Sequence, residues 1–224
     1  MSPLAFEEEV PIRRVTPLSV ACLCSITGLA IAEPAAVPSV GNGVELVNGQ
    51  EGPIGGNALR RYQMVMDARA LAGIPVGSVL TGLRFRQDNS SAAPWPPAGI
   101  TFSDYQLRIS AAATSAATMS TTYAANVSGP TTLVMDGPLS IAAGSFPGGP
   151  ASGATPEAFA TVIPFDTPYT YTGGSLCLDF NHSGTGLAVS AFMDAPLSNT
   201  TATDFVAGLY SNVSRTAATG VITT

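Results

Sequence analysis

The chain contains no lysine, one histidine and one tryptophan, and only 11% of its 224 residues are charged. All nine basic residues are arginine, and the formal net charge is −6. A surface of this sign repels phosphate backbones, so we expect no nucleic-acid partner. Solubility must depend largely on Ser, Thr, Asn and Gly side chains.

The N-terminus has the layout of a secretory signal. A polar segment ends in Arg13-Arg14, and an apolar stretch from Val15 to Ala32 follows it. Ala30-Ile31-Ala32 supplies small residues at the predicted cleavage site, so residues 1–32 are predicted to be a signal peptide. An uncleaved membrane anchor is the alternative. No later stretch is apolar enough to span a bilayer, so we expect membrane contact only through the leader and a secreted or cell-surface location.

Cysteine is scarce in a compartment that permits disulfides. Of the three cysteines, Cys22 and Cys24 lie within the predicted leader. Cys177 then remains alone, which excludes an internal disulfide in the mature chain. It lies in an apolar run, so we expect it to be a small buried hydrophobe.

Short runs of alternating apolar and polar residues dominate from Arg60 onwards. In Asp104–Ser110 the apolar side chains of Tyr105, Leu107 and Ile109 share one face. This alternation is typical of a strand with one face in a core and the other in water. The other predicted strands are Tyr62–Met66, Val79–Arg86 (Val79, Thr81, Leu83 and Phe85 inward, Arg84 and Arg86 outward), Thr131–Asp136, Phe159–Phe165, Leu176–Phe180, Leu187–Phe192 and Val206–Ser211.

About seven to nine strands without a sustained helix predict an all-β fold. Two antiparallel sheets that cover each other's apolar faces form a β-sandwich, here jelly-roll-like. We assign residues 60–224 to this single domain. Residues 33–59, rich in Pro and Gly, form a loose lead-in with one short strand at Val44–Val47. Residues 111–125 are predicted to be a loop or an irregular strand, because they lack an apolar helical stripe.

The blocks of this sequence that carry a family resemblance are Arg61–Ala68, Leu83–Asp88, Met119–Val127, Pro164–Tyr171 and Gly174–Phe180. In this order they resemble a domain common in secreted bacterial proteins that often carry a PEP-CTERM sorting tail. The similarity covers roughly residues 60–224 and implies an extracellular β-sandwich of no established activity, with no catalytic residue to transfer. The residues Ile222-Thr223-Thr224 do not match such a tail, so we expect no sorting by it.

Few side chains offer catalytic chemistry. His182, the only histidine, lies in the turn-like segment Asn181–Gly184, and the chain contains no Gly-x-Ser-x-Gly motif. One histidine and one cysteine do not supply a usual zinc ligand set. The aspartates are scattered, and we expect them to cap turns or pair with arginines across strands. The sequence therefore predicts a protein that is not an enzyme, with a hydrolase using two carboxylates left open.

Two weak binding sites are predicted in loops. Trp95, with Tyr105 and Asp88, is a candidate for stacking on a sugar, although Trp95 lies between prolines that it could pack against. Asp88, Asn89, Asp194 and Asp204 are candidate ligands for a structural calcium ion, and the sequence indicates no other cofactor.

The functional hypothesis is an exported, non-enzymatic β-sandwich of the cell surface or extracellular matrix, with a structural or adhesive role. Its partner would be an extracellular polysaccharide or a surface protein. The alternatives are a carbohydrate-binding module using Trp95 and loop tyrosines, and a carboxylate-dependent glycoside hydrolase.

Overall fold

The computed structural model describes residues 48–149, 156–195, 210–215 and 221–223. The predicted leader and the predicted strand at Val44–Val47 lie outside these residues. Among the described residues we find no helix with the length and hydropathy that crossing a bilayer requires. The strands are β1 (Asn48–Gln50), β2 (Arg60–Met66), β3 (Val79–Leu83), β4 (Ile100–Ala112), β5 (Val127–Ile141), β6 (Ile163–Thr170), β7 (Leu176–His182), β8 (Met193–Ala195), β9 (Tyr210–Arg215) and β10 (Val221–Thr223).

Six strands form one antiparallel sheet in the order β10-β9-β2-β7-β4-β5. Two antiparallel pairs, β1 with β8 and β3 with β6, form separate two-stranded sheets. The only helices in the described part of the chain are two short 3-10 turns, Ala116–Thr118 and Tyr123–Asn126. The all-β antiparallel prediction is confirmed, and the jelly-roll connectivity stays a prediction.

One face of the main sheet carries the larger core. The predicted inward residues of β4, Tyr105, Leu107 and Ile109, are all at most 1% exposed. Tyr62 on β2 and Phe180 on β7 lie on the same face, where their rings meet edge to face at 6.4 Å. Burying each of the larger apolar side chains stabilises the fold by about 1.5–3 kcal/mol.

The second layer over this face consists of the small β3–β6 sheet and several loops. Ile163 and Tyr169 of β6 and Leu80 of β3 belong to the same apolar cluster as the main-sheet residues. Phe85, just after β3, packs on Phe180 with ring centroids 6.5 Å apart. The result is a sandwich-like core between unequal layers.

The opposite face of the main sheet is also covered. Residues between β4 and β5 fold across it, and Met119 and Tyr123 pack there on Val65 and Cys177. The prediction of a loop or irregular strand at 111–125 is wrong in detail, because β4 continues to Ala112 and the two 3-10 turns follow.

Three strand predictions need correction. The strand predicted at Phe159–Phe165 begins only at Ile163, as β6. The strand predicted at Val79–Arg86 ends at Leu83, and a register shift between Leu80 and Gly82 changes the alternation, so Val79 is 53% exposed instead of inward. Arg86, predicted to be outward, lies beyond β3 and is buried at 4% exposure in an ion pair with Asp194. The predicted strand at Leu187–Phe192 is also wrong: these residues are irregular, and the strand β8 follows them.

Strand β5 forms an edge of the main sheet and is interrupted by two Gly-Pro pairs. Gly129 and Gly137 have φ of +66° and +123°, a region that favours glycine, and a proline follows each. The register with β4 shifts at both places. The backbone N–H of Asp136 donates to the carboxylate of Asp166 on β6, 3.0 Å away. Proline and bulges at an edge strand oppose pairing with another chain.

Candidate functional site

The three residues of the predicted sugar-binding site are buried in this structure. Trp95, Tyr105 and Asp88 are 7%, 1% and 4% exposed. Trp95 packs edge to face against Phe146 with centroids 5.3 Å apart, and the backbones of these two residues exchange hydrogen bonds. A ring that stacks on a sugar must present an open face. Trp95 is therefore a packed residue without an open stacking face, and the ring that it packs on is Phe146.

Tyr105 lies on β4 in the centre of the core, on the inward face that the alternation predicts, so it does not line an open sugar-binding surface. Its hydroxyl donates to the carbonyl oxygen of Pro53 at 3.0 Å. Burial raises the pKa of this phenol well above its ordinary value, because a phenolate would lose its hydration there. Tyr105 therefore acts as a neutral core residue.

Two of the predicted calcium ligands, Asp88 and Asp194, accept hydrogen bonds from other groups of the protein. Asp88 Oδ1 accepts a hydrogen bond from the backbone N–H of Ser90 at 2.9 Å. Asp194 Oδ2 accepts from Arg86 Nε at 2.5 Å. Asn89 is half-buried next to Asp88, and Asp204 lies outside the described residues. Within the described ranges, no three His, Cys, Asp or Glu side chains are arranged to hold a metal ion.

The Arg86–Asp194 ion pair is the most deeply buried charge pair in the described part of the chain, with side-chain exposures of 4% and 1%. Two other segments of the chain contact Arg86. Its backbone carbonyl oxygen accepts a hydrogen bond from the Asp194 N–H at 3.0 Å. Its guanidinium lies over the Phe159 ring, 5.3 Å from the ring centroid. The hydrogen bonding and aromatic contact offset part of the cost of removing both charges from water.

Two further buried polar side chains lie in the segments that flank this pair. Gln87 is 2% exposed and Glu157 is 7% exposed. One oxygen of each, Oε1, has no hydrogen-bond partner among the described residues. The Glu157 carboxylate lies directly against Gly149, where an added Cβ would come within 2.0 Å of both oxygens. A side chain at position 149 would therefore displace Glu157.

His182 ends β7 in the interior of the sandwich. Its exposure is 0%, and its ring stacks nearly parallel on Tyr105 and edge to face on Phe102. Nδ1 accepts a hydrogen bond from the backbone N–H of Gly184 at 3.0 Å. Burial and the nearby positive charge of Arg60 lower the pKa of His182 to about 4. Histidine is therefore neutral in this site at physiological pH.

A polar network occupies the covered face of the main sheet. Asp179 on β7 accepts hydrogen bonds from Arg61 Nε at 2.9 Å and from Gln63 Nε2 at 3.2 Å. Asn126 donates to Gln63 Oε1 at 2.8 Å. The Arg61 guanidinium lies 4.3 Å from the centroid of the Tyr123 ring, and the hydrogen bond that Arg61 donates to Asp179 raises the pKa of Arg61. The network joins the sheet to the 3-10 turns that cover it.

Cys177 lies on the same covered face at 1% exposure, and it is a free thiol. Burial and the charge of Asp179 raise the thiol pKa to about 12. The reactive thiolate is therefore disfavoured at this position.

A shallow groove of about 280 Å³ separates the end of β5 from the start of β6. Ile141, Phe146, Ala160 and Ile163 contribute its apolar lining, and Ser140 and Ser145 its hydroxyls. Its volume lies just below the range of about 300–1,000 Å³ typical of small-molecule sites.

Sequence reasoning missed Gln63, Asn126 and Glu157. Gln63 lies at an outward position of the β2 alternation, and only the chain folded over that face makes it buried. The available signal was a polar residue between Tyr62 and Met64 that shares its outward face with the apolar Val65. Glu157 follows a Pro/Gly-rich stretch and carried no signal that distinguishes it from a surface carboxylate.

Comparisons of the chain with protein-family models, with curated proteins and with solved structures gave no match.

Proposed function

We propose that this protein is an exported, non-enzymatic β-sandwich displayed at the cell surface or in the extracellular matrix, where it has a structural or adhesive role. The proposal includes the predicted secretory leader and the resemblance to domains of PEP-CTERM-type secreted proteins.

One observation carries this proposal: within the described residues, the only histidine and the two most buried aspartate pairs are used inside the protein's own packing. His182 is fully buried, Asp194 is paired with Arg86, and Asp179 is bound by Arg61 and Gln63. A general acid or base must reach the proton that it transfers. Groups engaged in this way stabilise the fold instead.

The exposed side of the edge strand β5 fits a display role. Ser128, Thr131 and Ser140 are exposed there, and Gly-Pro pairs interrupt the edge. An uncharged hydroxyl surface can make many weak hydrogen bonds, and the interrupted edge opposes self-association through strand pairing. Contact with polysaccharide or a surface protein would then occur through loops and hydroxyl-rich surface.

Expression of the full chain in a bacterial host, followed by fractionation and N-terminal mass mapping, tests the export step. We expect an extracytoplasmic product that begins at Glu33. The matched control replaces Ala30 and Ala32 by arginine, which should block cleavage. Intact protein with its leader, free in the cytosol, would refute export.

The exported product is then incubated with a panel of polysaccharides and bacterial cell walls. We expect retention on at least one of these surfaces and no release of reducing sugar above a heat-denatured control. Sugar release that is lost in a folded Asp88→Asn variant would identify a hydrolase and overturn the non-enzymatic role. Absence of retention on every surface would refute adhesion.

A further inference from the structure

Two loops interlock at the end of the main sheet where β2 begins and β7 ends. We call residues 51–58 and 183–191 the clasp. Three backbone hydrogen bonds join its halves: Thr185 N–H to Gly56 O at 3.1 Å, Gly186 N–H to Asn57 O at 3.4 Å and Ala191 N–H to Gly55 O at 3.0 Å. Ile54 of the first half and Ala191 of the second also belong to the larger apolar core.

His182 lies at the base of the clasp and contacts both halves. The Gly184 N–H, from the second half, donates to His182 Nδ1. From the first half, Gly56 approaches the ring so closely that an added Cβ would lie 3.3 Å from Cε1. The ring itself is fixed between Phe102 and Tyr105. A change in the imidazole therefore acts directly on both loops.

The neutral imidazole of His182 can accept the hydrogen bond from the Gly184 N–H, and the protonated imidazole cannot. Because Nδ1 accepts a hydrogen bond, the neutral ring carries its hydrogen on Nε2, which has no partner among the described residues. Protonation places a second hydrogen on Nδ1, directly facing the Gly184 N–H, so two donors meet.

The charged groups around the ring have opposing effects. Arg60 is directly opposite His182 in the β2–β7 register, and its positive charge disfavours an imidazolium. Glu51 forms an ion pair with Arg60 and partly offsets that charge. Tyr105, facing the ring from β4, is neutral and directs its hydroxyl to Pro53 in the clasp.

We propose that His182 is a pH-sensitive latch: protonation of its ring breaks the Gly184 contact and opens the clasp between residues 51–58 and 183–191, while the main sheet stays folded. The latch is a regulatory property beyond the structural or adhesive role and does not depend on it. Acidic surroundings would loosen the attachment of the segment before β2 to the sandwich.

Hydrogen exchange measured by mass spectrometry on the full chain at pH 7 and pH 5, corrected for the intrinsic effect of pH on amide exchange, tests this latch. A ring pKa that returns from about 4 to about 6.5 on opening makes the open form roughly 20-fold more favoured at pH 5 than at pH 7. We expect protection of Thr185, Gly186 and Ala191 to fall by about that factor, with β4 amides unchanged. Unchanged protection of the clasp, or an equal loss in β4, would overturn the proposal.

Two variants distinguish the latch from a general effect of acid. His182→Gln keeps an oxygen that can accept from the Gly184 N–H and has no proton to gain, so its clasp protection should be equal at pH 7 and pH 5. Arg60→Gln removes a charge that lowers the His182 pKa in the closed form, so the ring gains less by leaving its site, and clasp protection should fall less between pH 7 and pH 5 than in the unmodified chain.

A direct titration of His182 still tests the latch if neither variant folds. His182 is the only histidine, so the unmodified full chain gives a single imidazole signal in a proton NMR titration. We expect a midpoint far below 6.5. A midpoint at 6.5 or above would refute the latch, because the ring would then gain nothing by leaving its site.

Discussion

Removing the carboxylate of Asp194 should destabilise the fold more than any other single change of charge. Asp194→Asn keeps the shape of the side chain and removes its charge, which leaves the Arg86 guanidinium buried at 4% exposure without its carboxylate. Breaking a buried ion pair from one side costs about 3–5 kcal/mol. A domain of this kind has a total stability of about 5–15 kcal/mol. The variant should therefore be marginally folded.

A double variant separates the ion pair from the packing around it. Replacing both partners, Arg86→Met with Asp194→Leu, removes both buried charges and fills most of the volume with apolar atoms. Such replacements are often neutral or stabilising. We therefore expect the double variant to lose clearly less free energy of unfolding than the two single variants combined, with a coupling of about 2 kcal/mol.

Urea unfolding followed by tryptophan fluorescence provides the measurement. Trp95 is the only tryptophan and is buried against Phe146, so its emission reports loss of the core. Arg84→Met, which removes an exposed arginine two residues away, is the matched control and should leave the midpoint nearly unchanged. A cost below about 1 kcal/mol for Asp194→Asn, or strict additivity in the double variant, would refute the reasoning.

Three further outcomes follow from the structure. Trp95→Ala should cost about 3–5 kcal/mol of stability and Trp95→Phe clearly less; a fully stable Trp95→Ala variant that loses polysaccharide binding would instead favour the carbohydrate-binding alternative. Cys177 should resist iodoacetamide at pH 8 in the folded protein and react in urea, as mapped by peptide mass, since burial raises its pKa to about 12. Because the folded-state pKa of His182, about 4, lies below the unfolded value of about 6.5, the unfolded chain binds the proton more tightly. The free energy of unfolding should therefore fall by about 2.5 kcal/mol between pH 7 and pH 4.5 in urea titrations of the unmodified chain, and by much less in His182→Gln.

Alternation along the chain was sufficient to predict β2, β4, β7 and the middle of β5 in the main sheet, but not β10, and it overlapped β9 only at Tyr210 and Ser211. The inward faces of β2 and β4 follow from period two, because each strand has one face in the larger core. At β3 the same reasoning failed. A bulge between Leu80 and Gly82 changes which residues of β3 face inward. In this strand of five residues, Gly82 is the only sequence feature that indicates the bulge.

The candidate site was less predictable than the fold because its contacts join residues far apart in the chain. Arg86 and Asp194 are separated by 108 positions, and Gln63 and Asp179 by 116. Each looks like an ordinary surface residue within its own strand or loop. Their burial depends on which segments cover them, and this is a property of the tertiary fold that local patterns do not contain.

The buried polar network fixes the register of β2 against β7, which apolar burial alone would leave ambiguous. Met64 and Val65 point to opposite faces and are both buried, so a slip of one residue against β7 would still place apolar side chains on each face. Gln63 removes this ambiguity, because it lies opposite Asp179 in the register and also accepts from Asn126 on the covering turn. A slip would move Gln63 to the larger core, where its amide would have no partner, and would separate Asp179 from Arg61. The free-energy cost of leaving these groups buried without partners thus selects one register and one covering arrangement.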